Sequence, residues 1–306
     1  MPVCTSKNHL GRLPGTMMLT IWESFDAADR EPSTLAFVLF EARAELYEPT
    51  RQQRTQTMDR FRYSAIAHGE LPVWNPVSVS HLQRYVSQLN LTEHGYILDI
   101  GCGRGHVLNL ILSQSEARGI GVDCSPYAIE VATNDLASLV AADRLTLVER
   151  AFDAKEYAAA TFDLVVCIGS THVSGGYRET VRMARRLLRS GGTLLVGEGY
   201  WQRTPAPDYL AFLQMAADDH TTHQGNQATG VEEGFELVSC SQCSEEEWGA
   251  YEDQYARNVE SFVQANPHDP DAEAMLQRIR PWREAYLRWG RETLGFGLYL
   301  FRVRPE

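Results

Sequence analysis

Between Tyr96 and Glu198 the sequence alternates short apolar runs with amphipathic stretches, and four of the runs are apolar at successive positions rather than at every second one. "YILDI", "RGIGVD", "LTLVE", "FDLVVCIG" and "GTLLVGE" read as strands, with helices over the residues after Gly105, about 126–141 and 177–188. A strand without polar alternation is buried on both faces, and strands that alternate with helices pair in parallel. This pattern predicts a doubly wound α/β sheet. Beyond Gly199 the alternation loosens: a helix is expected over 207–218, a strand over 235–241, helices over 245–265 and 270–291 split by "NPHDP", and a last strand over 296–304. The long helical stretch between the two late strands predicts a helical cap inserted at about 242–292.

The preceding residues divide differently. Residues 1–14 read as a loose, polar terminus. Helices are expected over 34–47 and 50–67, a Gly/Pro-punctuated loop over 68–76, and a helix over 81–91 capped by Ser80. Residues 1–80 are therefore expected to form an N-terminal helical and loop segment that closes a cleft, and residues 81–306 the main domain.

Composition narrows the function classes. The 306 residues carry 28 Lys and Arg against 40 Asp and Glu, a net charge of −12. Such a field repels phosphates and argues against nucleic acid as the main partner. No run of 18 apolar residues and no basic-then-apolar leader is present, so neither a membrane partner nor a secretory signal is expected. Six thinly spread cysteines, several in strand-like segments, fit a reducing, cytoplasmic setting. Cys240-x-x-Cys243 lacks a second pair at zinc-site distance, so no metal is expected. The oligomeric state stays open.

The chemistry-bearing signal is Asp99-Ile100-Gly101-Cys102-Gly103-Arg104-Gly105, between a predicted strand and helix. Glycines there allow main-chain angles that a Cβ penalises and let the backbone approach a ligand at the carboxyl edge of the sheet. The G-K-[ST] ending of a phosphate loop is absent, and the spacing is G-x-G-x-G rather than G-x-G-x-x-G. Asp123 ends the second strand, where a carboxylate can accept hydrogen bonds from both hydroxyls of a ribose. On these residues alone, a nicotinamide-dependent oxidoreductase and a non-catalytic nucleoside-binding scaffold remain alternatives to a transferase.

The stretch "LDIGCGRG" resembles the first motif of the class I S-adenosylmethionine-dependent methyltransferases, and later segments follow in the family's order. Residues 80–200 carry the likeness, with "LLRSGGTLLVGE" similar to the family's fifth region, although Ser190 replaces a usual proline. "CIGSTHVSGGY" and "GEGYW" resemble a bacterial group acting on small molecules. The resemblance implies a seven-stranded Rossmann-like sheet in the order 3-2-1-4-5-7-6, with the last strand antiparallel. It also implies S-adenosyl-L-methionine as cofactor and methyl transfer to an oxygen, nitrogen or carbon of a small acceptor. Carried over, the cofactor residues are Asp99, Gly101, Cys102, Gly103 and Gly105 at the methionine end, Asp123 and Cys124 at the ribose, Asp153 and Ala154 beside the adenine, and Gly169 at the cleft.

The acceptor must then lie past strands four and five. His172, three residues beyond Gly169, is the candidate proton-handling group, and Glu198, at the expected end of strand five, the candidate orienting carboxylate. Aromatic walls with a few polar groups describe a small-molecule pocket. Tyr200 and Trp201 are candidates for one wall, Tyr63 and Trp74 for closure from the N-terminal side, and Tyr251, Tyr255 and Arg283 for contacts from the cap. His220 and His223 lack the H-E-x-x-H pattern and are read as polar surface.

Overall fold

The computed structural model describes residues 58–91 and 94–304. Among these, seven strands form one sheet: β1 (Tyr96–Ile100), β2 (Arg118–Asp123), β3 (Leu145–Glu149), β4 (Phe162–Ile168), β5 (Leu188–Trp201), β6 (Phe235–Gln242) and β7 (Leu294–Val303). Their order is β3-β2-β1-β4-β5-β7-β6. The strands from β1 to β5 pair in parallel, and β7 runs antiparallel to both β5 and β6. The expected order and the antiparallel last strand are both observed.

The unbroken apolar runs are explained by burial on both sides. Ile97 packs with Leu108, Ile111 and Leu112 of the His106–Leu112 helix, whereas its neighbour Leu98 packs with Val181, Ala184 and Leu187 of the Tyr177–Leu187 helix. Each such fully buried aliphatic side chain contributes roughly 1.5–3 kcal/mol relative to exposure.

Between β6 and β7 lie the helices Glu245–Ala265 and Ala272–Ala285. Ser244 starts the first with a capping box, its hydroxyl accepting from the Glu247 amide while Glu247 accepts from the Ser244 amide. Tyr63 and Ala67 of the Arg60–His68 helix form a separate small core with Ala256, Val259, Met275 and Ile279 of this insertion. Arg62 reinforces the contact by bonding Asp269 and Asp271 in the turn between the two insertion helices.

Several boundaries differ from expectation for local reasons. Ser78 rather than Ser80 caps the next helix, accepting from the His81 amide at 3.1 Å, and the helix runs Val79–Val86. The helix expected over 207–218 stops at Leu213, where Gln214 turns left-handed. The 126–141 stretch breaks at Leu136 into Pro126–Asp135 and Ala137–Ala141. The last insertion helix gives way to a π-helical turn at Tyr286–Gly290. β5 continues beyond Glu198 to Trp201 because β7 pairs with it through Leu294. A further helix at His223–Glu232, capped by Thr222, is not announced by the sequence pattern. The terminus at 1–14, the helix expected over 34–47 and the first part of that expected over 50–67 lie outside the described residues. Among the described residues no helix is long and apolar enough to cross a membrane.

Candidate active site

The β1 turn is built from residues that only a bare Cα permits. Gly101 and Gly103 have φ of 68° and 53°, in the left-handed region. A Cβ on Gly101 would stand 2.2 Å from Ser170 Oγ, so its absence lets the turns after β1 and β4 touch. A Cβ on Gly103 would meet nothing nearer than the Trp74 ring, at 3.7 Å. The Asp123 carboxylate accepts from the Gly103 amide at 2.9 Å and from the Ser125 amide at 2.8 Å, which fixes it beside the turn. Asp99 is 3% exposed; burial, and then the charge of Asp123, push its carboxyl up to about 8.

The other residues assigned to this region have mixed surroundings. The Cys102 side chain points into the core, where burial holds its thiol well above the usual range, and Cys124 is exposed. Asp153 and Ala154 follow β3, which pairs with β2 up to Asp123. Asp153 caps the short turn Ala154–Glu156 through the Lys155 amide at 2.9 Å. Above the glycines, Trp74 stacks on His68 with ring centres 4.6 Å apart. Trp74 Nε1, Asn75 Oδ1 and His106 Nε2 are buried without a hydrogen-bond partner among the described residues. Buried polar atoms are rarely left so.

A cavity of about 590 Å³ begins at the carboxyl ends of β4 and β5, where Gly169, Thr171 and Glu198 form its floor. The Thr171 hydroxyl donates to one Glu198 oxygen and the Gly199 amide donates to the other at 2.7 Å. Thr171 is itself held, its carbonyl accepting from the Thr180 hydroxyl at 3.0 Å. His172 lies on the following turn, Thr171–Ser174, with an exposed side chain at the cavity.

Tyr251, Glu252 and Tyr255 face the cavity from the first insertion helix, Arg278 and Trp282 from the second, and Phe212 from the Pro207–Leu213 helix. The Tyr251 hydroxyl is 2.9 Å from His68 Nε2, and His68 Nδ1 is 2.8 Å from the Ser64 carbonyl oxygen. A carbonyl can only accept, so Nδ1 carries the proton and Nε2 accepts from Tyr251. Burial lowers the His68 imidazole to about 4, against the pull of the Ser64 and Trp74 carbonyls. Burial likewise pushes the Tyr251 and Tyr255 phenols far up, so both stay protonated.

His172, Glu198, Gly169, Tyr63, Tyr251 and Tyr255 are thus brought to one cavity, while Trp74 lies over the glycine turn instead. Tyr200 and Trp201 do not line the cavity. They are 2% and 8% exposed, Tyr200 against His223 and Trp201 against Tyr209, with the Trp201 indole bonded to the Ala217 carbonyl at 2.8 Å. The extension of β5 captures both in packing. Arg283 also falls outside the lining and pairs with Asp253 at 2.9 Å. The reading of His220 and His223 as polar surface is corrected. His220 lines the cavity beside Gly199, and His223 bonds the Tyr299 hydroxyl at 2.9 Å.

Sequence reasoning missed Glu252, Arg278, Trp282 and Phe212. The i,i+4 spacing of Arg278 and Trp282 was the one available signal, and it does not say which helix face turns inward. Apart from this site, Cys243 has its donor atom within 4.8 Å of those of His81 and Glu247. The Glu247 carboxylate is already taken up by Ser78, Ser244 and His81, which ties the Val79–Val86 helix to the insertion.

Comparison with known proteins adds independent observations. Residues 97–192 match the sequence pattern of a methyltransferase-domain family. The crystal structure of an S-adenosylmethionine-dependent methyltransferase from Geobacter sulfurreducens, in complex with S-adenosyl-L-homocysteine, is 26% identical, with a TM-score of 0.72 over 79% of this chain and 98% of that one. YjhP of Escherichia coli, an uncharacterized protein, is 25% identical over 250 residues, covering 81% of this chain and all of YjhP. Its X-ray structure aligns with a TM-score of 0.70 over 79% of this chain. A 27-O-demethylrifamycin SV methyltransferase from Amycolatopsis mediterranei is 33% identical over 125 residues, 40% of this chain and 45% of that enzyme.

Proposed function

We propose that the chain is a class I S-adenosylmethionine-dependent methyltransferase that moves a methyl group to a small organic acceptor, and that this acceptor sits in the cavity between Glu198 and the helical insertion. The observation that carries the reading is the contact of Gly101 with Ser170. It makes the glycine turn and the cavity floor neighbours, one residue before the Thr171 that holds Glu198.

The residues around the glycine turn fit the cofactor. Gly103 leaves a cradle that a larger residue would fill, and Trp74 Nε1, Asn75 Oδ1 and His106 Nε2 offer unused polar atoms beside it. Asp123, held in place by two amides, has the remaining lone pairs for two ribose hydroxyls. Asp153 and Ala154 serve the adenine end. Bound there, S-adenosylmethionine supplies an electrophilic methyl group on a sulfonium.

The chain's own residues do the rest. Glu198, locked in orientation by Thr171 and Gly199, accepts a hydrogen bond from the acceptor's attacking group and orients it. His172 takes up the proton that the attacking group releases and passes it to solvent at the exposed side of the cavity. The insertion and the Arg60–His68 helix act together as the closing segment that excludes water. The packing of Tyr63 and Ala67 against Val259 and the His68–Tyr251 bond support that pairing. The thiols of Cys102, Cys167, Cys240 and Cys243 support a reducing, cytoplasmic setting. The net charge of −12 supports a small molecule over nucleic acid as partner.

The test is calorimetric titration with S-adenosylmethionine and S-adenosyl-L-homocysteine, followed by a screen of acceptor pools for a mass gain of one methyl group. Saturable binding of both nucleosides and a methylated product are expected. Binding of a nicotinamide dinucleotide in their place would overturn the reading.

A further inference from the structure

We propose that the acceptor molecule carries a positively charged ammonium group, seated at the cap end of the cavity against the Glu252 carboxylate and the Tyr251 hydroxyl. This rests on the reading that the cavity is the acceptor site.

Glu252 lines the cavity and is only 5% exposed. Its two oxygens accept from the Trp248 indole at 3.1 Å and the Trp282 indole at 2.8 Å. Both donors are neutral, and no ion pair within 4.0 Å includes Glu252 among the described residues. The Arg283 guanidinium acts on Glu252 only at longer range, and is itself paired with Asp253, whose charge opposes it. A buried carboxylate satisfied only by neutral donors lacks a counter-charge, and its burial penalises the charged form. A cation delivered by the ligand removes that penalty.

The surroundings suit a cation. Tyr63, Tyr251, Tyr255, Phe212 and Trp282 line the same cavity, and aromatic faces attract ammonium groups. Tyr251 adds direction. Its proton is committed to His68, so the lone pairs of its oxygen are left to accept an N–H from the ligand. Arg278 does not reverse the balance. Its guanidinium stands 4.8 Å from the centre of the Tyr63 ring and acts on the Tyr63 and Tyr255 phenols, so the ammonium seat lies at Glu252, Tyr251 and Trp282 rather than on the Tyr63 face.

The competing account makes Glu252 a staple that joins the two insertion helices through its indole bonds. A staple stabilises the helices and has no preference for ligand charge, so selectivity separates the two accounts. The full-length protein is titrated with benzylammonium, benzyltrimethylammonium, benzyl alcohol and benzoate. Both cations should bind about tenfold or more tighter than the alcohol, and benzoate weakest. Glu252→Gln should abolish that preference. Tyr251→Phe and His68→Phe should weaken benzylammonium by several-fold and leave benzyltrimethylammonium, which has no N–H, unchanged.

Equal or tighter binding of the alcohol, or no binding of either cation at millimolar concentration, overturns the proposal. So does an equal loss for alcohol and cations in Glu252→Gln. Should that variant fail to fold, wild-type selectivity and Tyr251→Phe decide. The same samples are titrated with S-adenosyl-L-homocysteine. Nucleoside binding without cation selectivity sinks this inference alone, whereas failure to bind the nucleoside sinks the methyltransferase reading.

Discussion

His68 Nε2 accepts from the Tyr251 hydroxyl at 2.9 Å, joining the Arg60–His68 helix to the first helix of the insertion. The same imidazole stacks on Trp74, whose ring covers Gly103. One neutral histidine therefore touches both halves of the candidate active site.

That neutrality makes stability depend on pH. The folded His68 is lowered to about 4 from 6.5, so its contribution is complete above about pH 6.5 and is lost as pH falls toward 4. The loss is on the order of 3 kcal/mol. Asp99 acts in the other direction: raised to about 8, it contributes below pH 3.8 and loses that contribution as pH rises through 8. Urea denaturation between pH 4 and 8.5 should show His68→Phe flattening the acid limb and Asp99→Asn the alkaline limb. Unchanged pH profiles in both variants would contradict these assignments.

Cofactor affinity should depend on Asp123 and Gly103 separately from fold stability. Asp123→Ala removes a carboxylate meant for two hydroxyls, a loss of about 2–5 kcal/mol in binding. Gly103→Val fills the cradle and forces a β-branched residue to φ of 53°, so binding should vanish. Calorimetry with S-adenosyl-L-homocysteine checks both, and wild-type titrations from either would reject the site.

Gly101 and Gly191 offer a controlled comparison. Both have positive φ, 68° and 74°, but a Cβ on Gly191 meets nothing within 4 Å. Gly191→Ala should cost about 1–2 kcal/mol from backbone strain alone. Gly101→Ala adds the collision with Ser170 and should cost clearly more, with lost cofactor binding. Equal denaturation midpoints for the two variants would show that the β1 and β4 turns are not in close contact.

Turnover should separate Glu198 and His172 from the cofactor site. Glu198→Gln keeps the shape and the Thr171 contact but loses the charge, so it should reduce the rate and spare nucleoside affinity. His172→Ala should slow the chemical step by about 10²–10⁴-fold if the attacking group enters protonated. A mild effect would instead identify an acceptor that needs no base. Single-turnover rates at saturating cofactor measure both.

The sheet and its glycine turn are legible in the amino-acid sequence. Ile97 and Leu98 announce burial on two faces, and the positive φ at Gly101 and Gly103 is a demand that sequence expresses directly. Asp123 is legible for the same reason, since it ends a strand whose place in the sheet follows from the same pattern. These properties are local: strand periodicity and backbone angle depend on neighbours in the chain.

The cavity is not legible there because its walls are chosen by packing between distant segments. Glu252 and Tyr255 turn inward because Ala256 and Val259, on the same side of their helix, pack with Tyr63 and Ala67 nearly two hundred residues earlier, and Tyr251 adjoins that side. Tyr200 and Trp201 left the candidate site because antiparallel pairing with β7 carried β5 three residues past Glu198. Arg278 and Arg283 lie on one helix, and only its docking put the first at the cavity and the second on Asp253. The sequence by itself determined the parallel sheet and the glycine turn. Tertiary structure alone decided which side chains line the cavity, because helix rotation and strand length are set by long-range burial rather than by local pattern.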